Sequence, residues 1–217
     1  MIAAHPDDEV LGCGGTIARH SQHDETVEII FVTDGETSRE GAGSNDIDRR
    51  RGSARAAAAA LGAREPVFLD LPDNRLDSVP LLEIVQTLEK RALELNPRIV
   101  YTHHAGDLNI DHRIVAQATL TAFRPQPGSS VRAIYGFEVL SSTGWGNPSD
   151  QFQPARYVDI SATMASKLSA LECYDAEMRE PPHARSLEAV EHLAGYRGMS
   201  FGMQAAEAFT VLRETIR

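Results

Sequence analysis

Cysteine, aromatic residues and long apolar runs are all scarce in this 217-residue sequence. The two cysteines, Cys13 and Cys173, stand far apart and outside any metal-ligand spacing, so a disulfide framework is not expected and a reducing compartment is favoured. No apolar run reaches transmembrane length, and the N-terminus lacks the charged region and apolar stretch of a signal peptide. These absences predict a cytoplasmic protein without a membrane span.

Positive charge is also in deficit. Lysine and arginine total 21 against 31 aspartates and glutamates, which gives a formal net charge of −10. Broad binding to nucleic acid or to an anionic membrane is therefore excluded, because both need a basic footprint. A small-molecule substrate is the expected partner, and assembly into a homo-oligomer is compatible with this composition.

Apolar β-type runs alternate along the chain with helical patterns, which predicts an α/β fold: a Rossmann-like, doubly wound and mostly parallel sheet flanked by helices. The predicted strands are residues 1–4, 27–33, 66–69, 98–102, 133–139 and 156–160. The predicted helices are residues 10–20, 49–61, 80–95, 112–123, 161–177, 186–196 and 204–217. The first strand is short for a central strand, so an earlier natural start is expected.

The length fits one domain over residues 1–217, with a core at 1–140 and a helical C-terminal segment at 141–217 that closes one end. Residues 141–154 are rich in Ser, Gly, Asn and Pro and read as a loop. The alternative is a division into two domains near residue 140.

Polar residues cluster where the predicted strands end. Ligands bind at the carboxyl ends of strands in open α/β sheets, so these residues are the candidates for a site. The clusters are residues 5–9 (HPDDE), 33–36 (TDGE), 70–74 (DLPDN), 103–104 (HH) and 107–112 (DLNIDH).

His5 and Asp8 lie three residues apart in one tight turn, and His112 begins a helix on a neighbouring loop. Two histidines and one carboxylate form a three-ligand Zn²⁺ site whose fourth position is open to water. Zinc lowers the pKa of that water to about 7. Asp7, beside Asp8, is then placed to accept the proton and return it to a leaving amine.

Each residue also has a simpler interpretation. Asp7, Asp8 and Glu9 could be helix-capping and first-turn acids, which for Glu9 is the favoured interpretation. Asp111 could be the N-cap of the helix that His112 begins. The glycines at 12, 14 and 15 do not have the dinucleotide-binding spacing, and they favour close helix–sheet packing instead.

The sequence resembles the LmbE-like, or PIG-L, de-N-acetylase family over roughly its first 140 residues. The motifs that carry the resemblance are residues 3–9 (AAHPDDE), 33–35 (TDG), 71–73 (LPD) and 107–112 (DLNIDH). Looser similarity continues at residues 137–138, 197–198 and 206–209.

The resemblance implies a Rossmann-like fold, zinc at His5, Asp8 and His112, and a general base at Asp7. Family members mostly deacetylate N-acetylglucosamine units in glycolipids, thiol-sugar conjugates, antibiotics or chitin fragments. The expected activity is removal of an N-acetyl group from an N-acetylglucosamine-type sugar or from a nucleotide- or lipid-linked sugar.

One position departs from the family pattern. Many members carry a histidine three residues before the metal histidine, where it supports the oxyanion; this chain has Asn109. An amide can donate a hydrogen bond to developing charge, and Asp111 is close enough to orient it. The alternative is that His103 or His104 takes this role.

The expected substrate contacts are Arg51, Asp73, Asn74, His103 and Trp145. The resemblance places an arginine near Arg51 against the substrate, although a solvated basic run explains residues 49–51 equally well. Asp73 and Asn74 could hold sugar hydroxyls or form a turn. Trp145 could stack on a sugar ring or anchor its loop.

Three rival functions use the same features. The zinc site could cleave an amide in a thiol-sugar conjugate or another small metabolite. A non-catalytic carbohydrate-binding member of the fold would not need a base at Asp7. A nucleotide-binding protein would need a phosphate-cradling loop, which the sequence lacks.

Overall fold

Strands and helices alternate through the first 137 residues of the computed structural model, which describes residues 1–216. The strands are β1 (Ile2–Ala3), β2 (Ile30–Thr33), β3 (Val67–Leu71), β4 (Ile99–His103), β5 (Ala133–Phe137), β6 (Arg156–Asp159) and β7 (Ala206–Glu214). The helices are α1 (Asp8–Gln22), α2 (Ser44–Ala60), α3 (Leu81–Leu95), α4 (Ile110–Ala122), α5 (Met164–Glu172) and α6 (Leu187–Met199).

The strands form two sheets that are rich in parallel pairs. In the first, the order is β1-β2-β3, with both pairs parallel. In the second, the order is β4-β5-β7-β6; β4 and β5 are parallel, and β7 is antiparallel to both of its neighbours. The predicted α/β class, with parallel-rich sheets flanked by helices, is confirmed.

The two sheets meet where β1 lies beside β4. A side chain bridges them here, because the backbone N–H of Ala4 donates to His103 Nε2 at 2.8 Å. From β1 the chain proceeds through β2 and β3 on one side, and through β4 and β5 on the other. This reversal is the switch point at which open α/β sheets bind ligands.

Both faces of the sheets are covered by apolar residues. Along β1 and β2, Ala3 and Phe31 belong to one core cluster, whereas Ile2 and Ile30 belong to the other. Helices α1, α2 and α5 cover the first face, and α3 and α4 cover the second. Burial on two faces explains the continuous apolar runs of these strands, which is the pattern of parallel strands.

The predicted helix at residues 204–217 is wrong, because this segment contains β7; Arg217 lies outside the described residues. Alanine and glutamate favour helices, but β7 is placed between β5 and β6, where pairing on both sides overrides that preference. Helices α5 and α6 confirm the other two C-terminal predictions. No helix in the described part of the chain is both long and apolar enough to cross a membrane.

Candidate metal centre and active site

Three buried side chains converge at the switch point. His5 follows β1, Asp8 begins α1, and His112 lies in the first turn of α4. Asp8 Oδ2 lies 3.0 Å from His5 Nδ1 and 3.2 Å from His112 Nε2, and the two nitrogens are 3.3 Å apart. A metal held tetrahedrally at about 2.0–2.1 Å separates its ligand atoms by about 3.3–3.4 Å. These residues therefore fit a metal ion.

The charge on Asp8 also suits this role. Burial alone would raise the pKa of Asp8, but His112 and His5 hold it well below its usual value. The carboxylate is therefore ionised, as a metal ligand must be. Its second oxygen, Oδ1, is buried and has no hydrogen-bond partner within residues 1–216.

The outer nitrogen of His5 faces two carboxylates. Nε2 lies 3.2 Å from Asp73 Oδ1 and 3.3 Å from Asp111 Oδ2. Asp111 is itself fixed by the backbone N–H groups of Asn74 and Leu76, at 2.7 and 3.0 Å. Burial lowers the pKa of His5, but hydrogen bonds with Asp111, Asp73 and Asp8 outweigh it and raise the pKa well above its usual value. A carboxylate at this nitrogen leaves Nδ1 free to bind metal.

His112 has a matching carboxylate. Its Nδ1 lies 3.2 Å from Asp107 Oδ1, which directs Nε2 toward His5 and Asp8. Asp107 Oδ2 accepts from the hydroxyls of Ser142 and Thr143. Burial alone would raise the pKa of Asp107, but its contacts with His112 and Thr143 lower it to about 2. His5 and His112 are thus each oriented by a carboxylate.

Asp7 is fully buried beside these ligands, at the N-cap of α1. Its Oδ2 lies 3.0 Å from Arg185 Nη1 and 3.4 Å from Arg50 Nη2, whereas Oδ1 has no hydrogen-bond partner among the described residues. Burial raises the pKa of Asp7, and Arg185 and Arg50 oppose that rise. One carboxylate oxygen is therefore held, and the other is free to exchange a proton.

The arginine at this site is Arg50, not the expected Arg51. Arg50 is 5% exposed and pairs with Asp7 and Glu177, whereas Arg51 binds Asp70 and packs over Phe68. Helix periodicity explains the difference: the buried alanines 54, 57 and 58 lie four, seven and eight residues after Arg50. That spacing was the signal that could have identified Arg50.

Asn109 is the N-cap of α4. Its Oδ1 accepts from the backbone N–H groups of Asp111 and His112, at 2.8 and 3.4 Å. Its Nδ2 donates to Asn74 Oδ1 at 3.0 Å. The Asn109 amide thus joins the loop that carries Asn74 to the start of α4.

His103 and His104 face different surroundings. His103 is fully buried, and its ring stacks on that of His112 with centroids 3.9 Å apart. Burial lowers the pKa of His103 well below its usual value, so the ring is neutral. The ring lies against His112 and has no exposed surface, and the substrate contact expected at His103 stays a prediction. His104 Nε2 donates to the carbonyl of Asp150 at 2.8 Å.

The remaining predicted residues lie around the cluster. Asp73 is buried, and its Oδ2 accepts from Ser38 Oγ. Asn74 is exposed and donates to Asp73 Oδ1 at 3.1 Å. Trp145 is 63% exposed at the end of a short 3₁₀ helix, Thr143–Trp145, whose first residue binds Asp107.

Sequence reasoning missed Arg185, Glu177 and Tyr174. Glu177 accepts from Arg39 NH2 and pairs with Arg50 and Arg185. Tyr174 Oη donates to Glu9 Oε1 at 2.6 Å. All three lie in the C-terminal segment. Tyr174 and Arg185 are more than 160 residues from their partners Glu9 and Asp7, and Glu177 is 138 residues from Arg39. No local spacing marks them.

The family model described as GlcNAc-PI de-N-acetylase, PIG-L, matches residues 1–123, which include His5, Asp8 and His112. The chain belongs to the PIG-L family. This confirms the family predicted from the motifs.

Curated relatives agree with this membership, and a solved structure shares the fold. The uncharacterized deacetylase YaiS of Escherichia coli is 32% identical over 145 residues, which cover 65% of this chain and 73% of that protein. The diacetylchitobiose deacetylase of Thermococcus kodakarensis is 28% identical over 95% of this chain and 79% of its own length. The N,N'-diacetylchitobiose deacetylase structure from Pyrococcus horikoshii superposes with a TM-score of 0.79 at 22% identity, over 98% of this chain and 82% of that one.

Proposed function

We propose that this PIG-L chain is a zinc-dependent hydrolase that removes an N-acetyl group from an amino sugar. The observation that carries the proposal is the set of three ligand atoms 3.0–3.3 Å apart, beside a buried aspartate with one free oxygen. The names of the relatives favour the same chemistry, because YaiS and the Thermococcus protein are both called deacetylases.

The ligand set favours zinc. Two imidazole nitrogens and one carboxylate oxygen are typical of catalytic zinc sites, whereas magnesium and calcium prefer oxygen ligands alone. The carboxylates behind His5 and His112 supply the outer support that such sites use. When bound, zinc would supply a water of lowered pKa and a Lewis acid for the amide carbonyl.

Asp7 acts as the base in this proposal. Its Oδ1 accepts the proton of the attacking water and then delivers it to the nitrogen of the leaving amine. The arginines at Oδ2 hold the carboxylate in one orientation throughout both transfers. Burial excludes bulk water from that exchange.

Asn109 is the proposed second donor to the developing oxyanion, and Asp111 orients it. The backbone N–H of Asp111 fixes Asn109 Oδ1, and thereby fixes the amide plane. An amide nitrogen carries two hydrogens, and Asn74 accepts only one of them. The other hydrogen has no acceptor among residues 1–216 and is proposed to meet a substrate oxygen.

The substrate is proposed to be an N-acetylglucosamine-type sugar that contacts exposed residues around the cluster of His5, Asp8 and His112. Trp145 offers an aromatic face for a sugar ring, and Asn74 offers an amide for its hydroxyls. Asp73 is proposed to contact the sugar as well. Its carboxylate also contacts His5 and Ser38, which hold it in place.

Acetate release from a panel of N-acetyl sugars tests this function. The panel contains N-acetylglucosamine, diacetylchitobiose, a nucleotide-linked and a lipid-linked N-acetyl sugar, and a thiol-sugar conjugate. Zinc-loaded protein should release acetate, and Asp7→Asn should lower kcat by about 10²–10⁴-fold with zinc content unchanged. No acetate from any substrate, or near-normal turnover by the variant, would contradict the proposal.

A further inference from the structure

Asp7 has an unusual backbone conformation. Its φ is 134° and its ψ is −30°, a region that residues other than glycine rarely adopt. Such a conformation is strained and persists only where surrounding contacts impose it. The contacts that hold Asp7 therefore bear directly on where its carboxylate lies.

One contact holds the Asp7 backbone. Its N–H donates to Glu9 Oε2 at 2.9 Å, and the other oxygen of Glu9 accepts from Tyr174 Oη at 2.6 Å. Tyr174 is 1% exposed and follows the end of α5, so its hydroxyl is fixed by packing. The Asp7 peptide is thus tied through Glu9 to the C-terminal segment.

A second contact holds the Asp7 side chain. Arg185 Nη1 donates to Asp7 Oδ2 at 3.0 Å, while Arg185 Nε donates to Ser141 Oγ at 3.1 Å. Glu177 Oε2 lies 3.5 Å from the same Nη1. Three partners therefore fix the plane of the guanidinium, and through it the orientation of the Asp7 carboxylate.

We propose that Tyr174 and Arg185 are positioning residues for Asp7. Tyr174 acts on its backbone through Glu9, and Arg185 acts on its side chain, so that Oδ1 faces the reacting centre. Both residues lie beyond residues 1–123, which the family model matches. The C-terminal segment thus completes a site whose metal-facing residues all lie earlier in the chain. The kinetic part of this inference rests on the proposed function.

Matched variants separate positioning from folding. Tyr174→Phe removes one hydroxyl from the buried contact, and Tyr196→Phe makes the same change on a side chain that is 65% exposed. Arg185→Ala removes the guanidinium, Arg185→Lys keeps a cation, and Arg179→Ala removes an exposed arginine from the same segment.

Tyr174→Phe and Arg185→Ala should each lower kcat by about 10–10²-fold, with KM within about twofold and zinc content unchanged. Arg185→Lys, or guanidinium added to Arg185→Ala, should restore part of kcat, and both controls should match the wild type. A raised KM with normal kcat would overturn the proposal, because Arg185 would then contact substrate. Losses that follow zinc content or appear equally in the controls would also overturn it.

Crystal structures of the wild type and both variants give a readout independent of activity. Each variant should displace the Asp7 carboxylate by about 1 Å or more, the scale at which misplacement affects catalysis. An Asp7 unchanged in both variants would overturn the proposal. If the wild type releases no acetate, the proposed function fails while these structures still decide whether Tyr174 and Arg185 position Asp7.

Discussion

Asp107 Oδ1 lies 3.2 Å from Nδ1 of His112, on the opposite side of the ring from the nitrogen that faces Asp8. This contact selects the tautomer in which Nε2 carries the free lone pair. Ser142 and Thr143 hold the carboxylate in turn, so the loop after β5 contributes to the geometry of the metal-facing histidine.

Asp107→Asn should weaken zinc affinity by about 10–10²-fold, the usual loss when such an outer carboxylate is changed. The cause is that a neutral amide no longer fixes the His112 tautomer by charge. Zinc competition with a chromophoric chelator measures this effect. Asp77→Asn, on the exposed surface, is the control and should leave affinity unchanged. Equal affinity in the two variants would show that Asp107 serves only the loop.

Neighbouring arginines on α2 should behave differently. Arg50→Met should cost about 3 kcal/mol of stability, because the buried carboxylates of Asp7 and Glu177 each lose one of their cationic partners. Arg51→Met should cost at most about 1 kcal/mol, because the Arg51–Asp70 pair is partly exposed to solvent. Denaturant unfolding of both variants checks this order, and equal losses would contradict it.

Asn109 can be tested as a donor separately from its role as a helix cap. Asn109→Ala should lower kcat by about 10–10³-fold with a smaller rise in KM, and should also cost about 1 kcal/mol of stability through the lost cap. Asn109→Ser keeps a good cap but lacks the amide, so it should restore stability and not kcat. Full recovery of kcat in the serine variant would show that Asn109 acts only as a helix cap.

His103→Ala and His104→Ala are the companions to that experiment. If Asn109→Ala leaves kcat unchanged while one histidine variant loses most of its kcat, that histidine stabilises the oxyanion. His103 is the less suitable candidate, because its Nε2 already accepts from Ala4 and its ring is fully buried.

Glu9 should make stability depend on pH. Burial raises the pKa of Glu9 to about 8, against the opposing hydrogen bonds from Tyr174 and Asp7, whereas its ordinary value is 4.5. The folded protein therefore retains a proton that the unfolded chain loses, and the Glu9 contribution is lost as pH rises from about 4.5 through 8. Glu9→Gln removes this dependence, so its stability relative to the wild type should increase between pH 5 and pH 8. A constant difference in denaturant midpoint across that range would contradict the shifted pKa.

The convergence of His5, Asp8 and His112 could be predicted because their signals are local. His5 and Asp8 share one turn at a strand end, and His112 follows a helix start. The resemblance to the family points to Arg51, but three consecutive arginines carry no local distinction, and only the alanine spacing on α2 separates Arg50 from Arg51.

The roles of Arg185 and β7, in the C-terminal segment, could not be predicted from local sequence signals. Arg185 reaches Asp7 across 178 residues, and its role depends on how the C-terminal segment packs rather than on any pattern near it. The alanine and glutamate of β7 favour a helix, whereas its strand conformation comes from pairing with β5 and β6.

The position of the metal tests the central claim most directly. Anomalous diffraction across the zinc absorption edge, from crystals of zinc-loaded protein, locates the ion without reference to activity. One peak is expected about 2.0–2.2 Å from His5 Nδ1, Asp8 Oδ2 and His112 Nε2. A peak elsewhere, or no peak among these three atoms at saturating zinc, would contradict it.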